Sequence, residues 1–247
     1  LVRRAELRRS ANWLADADWE ADWDADRYEG RDIVLYGARG GADAAHLWWT
    51  LRSYGLRSAR LLDGGVEAWL ADGEALVGGP ERSPSEGASG GIEAEAKSSG
   101  LARPEVAPAG YLGSGEPDRD RLVSAEELLS RLDDADVAIV DTREPEEYRG
   151  ELIAARRGGH VPGALLFPWT LALTPELRLR PETELRDLLA PVLEKPEVIV
   201  YCQSGVRAAH TAAVLEMLGH PGTRLYLGSW GEWGNREDTP VELEAES

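Results

Sequence analysis

The chain has 247 residues, 43% of them hydrophobic, enough for a core spread over one or two domains. Its formal net charge of −18 argues against nucleic acid and anionic membranes as partners, though small anions answer to local fields and stay possible ligands. One cysteine allows no internal disulfide, which fits a reducing, cytoplasmic setting, and no apolar run is long enough to span a membrane.

The first residues, Leu-Val-Arg-Arg-Ala-Glu-Leu-Arg-Arg, carry arginines but no apolar core, so they do not form a secretory signal. They also lack an initiator Met, which suggests a fragment or a processed form. Residues 14–29 are acidic and carry Trp19 and Trp23, four apart and on one face if helical. A solvated segment with two anchoring indoles explains them better than a docking surface.

Asp32 to Tyr36 reads as a buried strand, Gly37 to Gly41 as a glycine-rich turn, and Ala42 to Tyr54 as a helix. Arg60 to Leu62 is a second short strand, Asp63-Gly64-Gly65 a turn, and Val66 to Ala71 the start of a helix carrying Trp69. Residues 78–120, rich in Gly, Pro, Ser and Glu, read as a flexible linker.

Ser124 followed by Glu127 is a capping box ahead of a helix through Leu132. Val137 to Val140 is a strand ending in Asp141-Thr142-Arg143, followed by a helical turn over Glu144 to Tyr148 and a loop over residues 158–164. Pro181 to Leu193 is predicted as one helix. A β-branched strand from Val198 then stops at Cys202, a polar loop follows, and a helix runs through Leu218. Arg224 to Tyr226 is the last strand, and Gly228-Ser229-Trp230 turns into a closing segment with Trp233. Strands alternating with helices predict an α/β fold with parallel sheets.

There is an internal repeat at domain scale. Val-Leu-Tyr-Gly at 34–37 matches Val-Ile-Val-Tyr-Cys at 198–202, and Leu-Leu-Asp-Gly-Gly with Trp69 matches Leu-Tyr-Leu-Gly-Ser with Trp233. Gly37 stands in the first copy where Cys202 stands in the second, so one thiol site is expected per chain.

A lone thiol is ordinarily a small buried hydrophobe. Cys202 differs because it sits at a strand exit, before a helix amino end, where unpaired N–H groups favour negative charge. Open α/β sheets bind ligands at such exits. A thiol there is expected to ionise readily and to act as a nucleophile. Arg207, five residues on, lies where a helix disfavours cations, so a functional role explains it better than chance.

These pieces resemble the tandem rhodanese sulfurtransferases. The matching stretches are Val-Asp-Thr-Arg-Glu-Pro-Glu-Glu-Tyr at 140–148, Gly-His-Val-Pro-Gly-Ala at 159–164, Tyr-Cys-Gln-Ser-Gly-Val-Arg at 201–207 and Gly-Ser-Trp-Gly-Glu-Trp at 228–233. In the first half the match is Leu-Leu-Asp-Gly-Gly-Val-Glu-Ala-Trp at 61–69. The resemblance implies rhodanese-like α/β domains, each a parallel sheet flanked by helices. Residues 1–77 would be a partial, non-catalytic domain, 78–120 a linker and 121–247 the catalytic domain. The first half lacks counterparts of Asp-Thr-Arg and Gly-His-Val-Pro-Gly-Ala, the stretch from Gly150 to Gly158 is short for the thiosulfate type, and Leu227 replaces a usual acidic residue.

In that family a six-residue loop curls so that its N–H groups face the cysteine sulfur. The resemblance therefore implies Cys202 as the catalytic residue, carrying a persulfide held by the N–H groups of Ser204, Gly205 and Val206. Arg207, Gln203 and Arg143 would bind the substrate. The implied reaction moves sulfur from a small anionic donor, thiosulfate, to cyanide or a thiol acceptor, with no metal and no cofactor. Arg143 could instead pair with Asp141 or Glu147, Arg156 and Arg157 could add positive potential at the mouth, and His160 is expected to hold a turn rather than act as a base.

Three other readings compete. Phosphatases and arsenate reductases use Cys-x5-Arg loops, one residue longer than the Cys-x4-Arg here. 3-Mercaptopyruvate is a rival donor, although Arg207 suits the more anionic thiosulfate. A non-catalytic sulfur carrier or scaffold is compatible with the cysteine-free first copy.

Overall fold

The computed structural model describes residues 33–76 and 118–243. The Trp19–Trp23 segment and most of the expected linker lie outside the described residues.

The amino-terminal lobe has strand β1 (Ile33–Leu35), helix α1 (Ala42–Ser53), strand β2 (Ala59–Leu61) and helix α2 (Gly65–Ala71). The strands pair in parallel. The carboxy-terminal lobe opens with a 3-10 turn over Arg119–Arg121. Strand β3 (Leu122–Val123), helix α3 (Ala125–Ser130), strand β4 (Val137–Asp141) and helix α4 (Pro145–Tyr148) follow. Next come strand β5 (Leu165–Leu166) and helices α5 (Glu182–Leu188) and α6 (Ala190–Leu193). Strand β6 (Glu197–Tyr201), helix α7 (Val206–Met217), strand β7 (Thr223–Tyr226) and helix α8 (Ser229–Trp233) complete the lobe. The five strands form one parallel sheet in the order β3-β7-β6-β4-β5.

The sheet buries both faces, so the middles of its central strands, Ala138 to Val140 and Val198 to Val200, are apolar. Along β6 the side chains alternate. Val198 and Val200 join one cluster with α5, α7 and α1, while Ile199 and Tyr201 join another with Leu128, Trp230 and Trp233. Ser124 caps α3, its Oγ accepting from the Glu127 N–H at 3.2 Å, which is the serine half of the expected capping box.

The two lobes share the first of these clusters, with Trp48, Trp49 and Leu51 of α1 packed beside Val214 and Leu215 of α7. The Arg121 guanidinium lies 4.1 Å from the Trp49 ring centroid and pairs with Glu216 at 2.6 Å. The Asp118 N–H donates to the Ser53 carbonyl at 2.6 Å, so the last residues of the predicted linker, 118–120, already belong to the packed structure.

The repeat is visible in space. In both lobes a carbonyl just past the strand end is clamped by the start of the short helix that follows the next strand. Trp230 N–H donates to Cys202 O at 2.9 Å, and Val66 N–H to Gly37 O at 3.0 Å. The residue before the clamp is left-handed in each case, Ser229 at φ 54° and Gly65 at φ 58°. A Cβ at residue 65 would fall 2.2 Å from the Gly37 carbonyl oxygen, which explains the glycine there.

Two predicted elements change. The helix expected over Pro181 to Leu193 divides at Leu189 (φ −100°, ψ 5°). Pro191 lacks the N–H that a continuous helix would donate to the Asp187 carbonyl, and its ring crowds that turn. The strands β3 and β5 went unread, because two residues leave no measurable period. A groove of about 400 Å³ runs along β2 between α1 and α7. It contains neither Cys202 nor Arg207. Among the described residues, no helix is long and apolar enough to cross a membrane.

Candidate active site

Cys202 leaves the carboxyl end of β6 and is 1% exposed. Its Sγ accepts a hydrogen bond from the Gly205 N–H at 3.1 Å. That N–H can reach back because Gly205 is left-handed, with φ 86°, and caps α7. A side chain there would fail twice. L-residues resist this φ, and a Cβ would lie 2.7 Å from Leu227 Cδ1. The first-turn N–H groups of α7 add the partial positive charge of a helix amino end.

The loop is pinned on its far side by α8. The Cys202 N–H donates to Ser229 Oγ at 3.2 Å, and that hydroxyl donates to the Tyr226 carbonyl at 2.8 Å. The Gly231 N–H takes up the Gln203 carbonyl at 2.9 Å. Ser229 holds its left-handed conformation at zero exposure. The cost of that conformation is met by two hydrogen bonds on one hydroxyl.

The predicted site residues do not all converge. Gly205 and Cys202 meet directly. Val206 begins α7, and Ser204 is exposed at the loop tip. Gln203 turns its amide away from the sulfur, and its Nε2 donates to the Ala154 carbonyl at 3.1 Å, tying the loop to the 151–156 segment.

Arg207 lies in the first turn of α7. Its guanidinium makes a two-pronged pair with Glu147, at 2.6 and 2.8 Å. Burial opposes its charge, but the Glu147 hydrogen bonds and the nearby Cys202 sulfur carry its pKa above the ordinary arginine value. Burial likewise pushes the Glu147 carboxyl up. The Arg207 hydrogen bond, the Glu144 N–H and the charges of Arg207 and Arg143 outweigh it, holding Glu147 below the usual carboxylate range.

Of the two roles expected for Arg143, the crevice and a pair with Asp141 or Glu147, the structure shows the pair: the side chain is 1% exposed and lies 2.6 Å from Asp141. It also donates to the Gly159 carbonyl at 2.7 Å and lies 4.5 Å from the Trp230 ring centroid. Burial opposes the Arg143 charge, and Asp141 more than restores it. The Tyr201 hydroxyl donates to the same Asp141 carboxylate at 2.7 Å. This network braces the strand ends beneath the loop. Arg157 is also diverted from the mouth, since it donates to the carbonyls of Trp233, Arg236 and Thr239. His160 stacks on Tyr148 with centroids 3.6 Å apart, and its Nδ1 lies 2.9 Å from the Tyr148 carbonyl, a turn-holding position.

Sequence reasoning missed Glu147 as a partner of Arg207 and Ser229 as the anchor of Cys202. Ser229 had a signal in the Gly-Ser-Trp turn. Glu147 had none, because 60 positions separate it from Arg207. Among the described residues, no group of three or more His, Cys, Asp or Glu converges to hold a metal ion.

A family model described as a rhodanese-like domain matches residues 6–72 and 124–236. A thiosulfate sulfurtransferase of Azotobacter vinelandii is 37% identical over 212 residues, 85% of this chain and 69% of its own length. The sulfur carrier protein TtuD of Thermus thermophilus is 32% identical over 225 residues, 85% of this chain and 70% of its own. The solved structure of wild-type EanB superposes with a TM-score of 0.66 at 21% identity, over 87% of this chain. The chain spans about half of that structure, 51%, and the likeness speaks for the fold.

Proposed function

The chain belongs to the rhodanese family of sulfurtransferases, and from that premise we propose that it moves sulfane sulfur from thiosulfate to a thiol or cyanide through a persulfide on Cys202. The observation that carries this reading is the Gly205 N–H at 3.1 Å from Cys202 Sγ, in a loop whose next helix brings Arg207. A donor fixed on the sulfur favours the anion at that atom.

In the proposed reaction the Cys202 thiolate attacks the outer sulfur of thiosulfate. A sulfur–sulfur bond forms to Cys202, the donor's own sulfur–sulfur bond breaks, and sulfite departs with that electron pair. The enzyme then holds Cys202–S–S⁻. Cyanide attacks the terminal sulfur and leaves as thiocyanate, or a thiolate takes it as a persulfide, and the Cys202 thiolate returns. Charge and atoms balance in each half, and the scheme needs neither metal nor organic cofactor. Two half-reactions through a covalent intermediate give ping-pong kinetics.

Within this reading the catalytic unit is the carboxy-terminal lobe, residues 121–247, and the amino-terminal lobe is a non-catalytic copy. Arg207 is the cation available to the donor, and the N–H groups of Ser204 and Val206 assist Gly205. Thiosulfate is favoured over 3-mercaptopyruvate because the guanidinium suits the more anionic donor, and relatives bear that activity in their names. The single thiol supports a reducing, cytoplasmic setting.

Mass spectrometry of the intact protein tests the proposal. Treatment with thiosulfate should add the mass of one sulfur atom, about 32 Da, and cyanide should remove it. No gain in the wild type, or an equal gain in Cys202→Ala, overturns it. Turnover of para-nitrophenyl phosphate above a Cys202→Ser control would favour a phosphatase instead.

A further inference from the structure

Arg207 stands in an awkward place for a cation. The first turn of a helix repels positive charge, and the guanidinium is three-quarters buried. Glu147 resolves the conflict. It reaches across from α4, 60 residues away, and meets the guanidinium prong to prong at 2.6 and 2.8 Å. Its own position is fixed, because Oε2 also accepts the Glu144 N–H at 3.0 Å. Glu147 is only 5% exposed, so little water weakens the pair. Arg143, the other nearby cation, is committed to Asp141 and contributes little net charge.

A two-pronged pair engages two of the five guanidinium N–H donors and leaves three for a ligand. Arg207 can therefore still orient an oxyanion. The positive charge an incoming anion meets is largely offset by the carboxylate behind it. Thiosulfate and sulfite are both dianions. A site with an unpaired arginine would hold the departing sulfite as firmly as the arriving donor, and uniform tight binding of that kind adds nothing to turnover.

We propose that Glu147 is a positioning residue that aims Arg207 at the Cys202 site and sets that site's affinity for dianions low enough for sulfite to leave. The inference rests on the reading of Cys202 as a sulfur-transfer site. Glu147 touches no reacting atom and acts through Arg207.

The test uses the whole chain and Glu147→Gln, which keeps the shape and an acceptor for the Glu144 N–H while removing the charge. Sulfate serves as an unreactive dianion, with affinity measured by calorimetry. Glu147→Gln should bind sulfate at least about tenfold more tightly than the wild type, the effect of one uncompensated charge a few ångströms away. The thiosulfate KM should fall and sulfite inhibition should strengthen by similar factors, while kcat drops because sulfite release slows and Arg207 loses its aim. A residue that only supports the fold would weaken sulfate binding or leave it unchanged. In an Arg207→Gln background the same substitution should leave sulfate affinity unaltered. Unchanged or weaker sulfate binding by folded Glu147→Gln, or a gain that survives without Arg207, overturns the proposal. Should Glu147→Gln not fold, Glu147→Ala carries the same expectation. Absence of a persulfide in the wild type would defeat the parent reading, while the sulfate comparison would still judge Glu147.

Discussion

Substituting Gly205 by alanine tests the cradle most directly. Gly205 sits at φ 86°, and forcing an L-residue there costs about 1–2 kcal/mol. The new Cβ would lie 2.7 Å from Leu227 Cδ1 and 3.2 Å from the Leu227 carbonyl oxygen, which adds about 1–3 kcal/mol of overpacking. Gly205→Ala should therefore lose roughly 2–5 kcal/mol of stability in urea unfolding, at unchanged denaturant slope. Leu227 is 36% exposed, so Leu227→Ala costs little by itself. The double variant should regain the side-chain part of the clash and keep the backbone strain. Relaxation of the strained loop would move the N–H away from Sγ. A hydrogen bond to a charged sulfur is worth about 1.5–3 kcal/mol, so persulfide formation in a single turnover should slow by about 10- to 150-fold. Leu227→Ala should not restore this rate, because the backbone strain persists. A Gly205→Ala protein with wild-type stability and wild-type persulfide formation would refute the cradle argument.

At Ser229 the usual order of substitutions should invert: Ser229→Ala leaves the buried Cys202 N–H without its acceptor, costing about 1–3 kcal/mol, whereas Ser229→Gly loses the same bond but relieves the φ of 54° and should be about 1 kcal/mol more stable than the alanine variant in urea. Asp141→Asn strips the buried Arg143 of its counter-ion and should cost about 3–5 kcal/mol, read as a lowered unfolding midpoint. His210 makes stability depend on pH. Burial lowers its pKa to about 4, while the unfolded chain takes up the proton near 6.5, so its contribution is complete above pH 6.5. About 3 kcal/mol is then lost as pH falls from 6.5 to 4, and His210→Leu should flatten that slope in urea titrations at successive pH values.

How legible all this was depended on distance along the chain. The continuous apolar run of β6 and the helix after Gly205 announce themselves within a dozen residues, so the strand exit at Cys202 could be placed from sequence. The division of the helix at Leu189 was also readable, because Pro191 was in view. For Arg143 the readable signal favours the pair with Asp141, one of its two expected roles. Residues two apart at a strand end face the same side, so Asp141 and Arg143 were placed to pair. The Glu147–Arg207 pair has no local signal, and the Ser229 anchor shows only in the Gly-Ser-Trp turn. They follow from the sheet, which aligns Asp141 with Tyr201 and so brings the ends of β4 and β6 to one level.

That alignment also explains why the two copies of the repeat differ in chemistry while sharing geometry. The clamp of the strand-end carbonyl needs only a backbone acceptor, a left-handed residue and a following N–H, and both lobes keep all three. The chemistry needs two side chains more. Where α7 begins Val206-Arg207, α1 begins Ala42-Asp43, so the first copy has an acidic residue in the place of the guanidinium. Asp43 suits a helix amino end, where Arg207 does not, and it needs no partner such as Glu147. The first loop is also one residue longer between its strand-end residue, Gly37, and its cap, Gly41. Restoring a cysteine at residue 37 would thus give a thiol without a cation and with a displaced cap. The first lobe keeps the clamp because the clamp holds the strand ends together, a packing need that both lobes have. On the proposed reading, the arginine and the glutamate paired with it serve the lobe that carries the thiol.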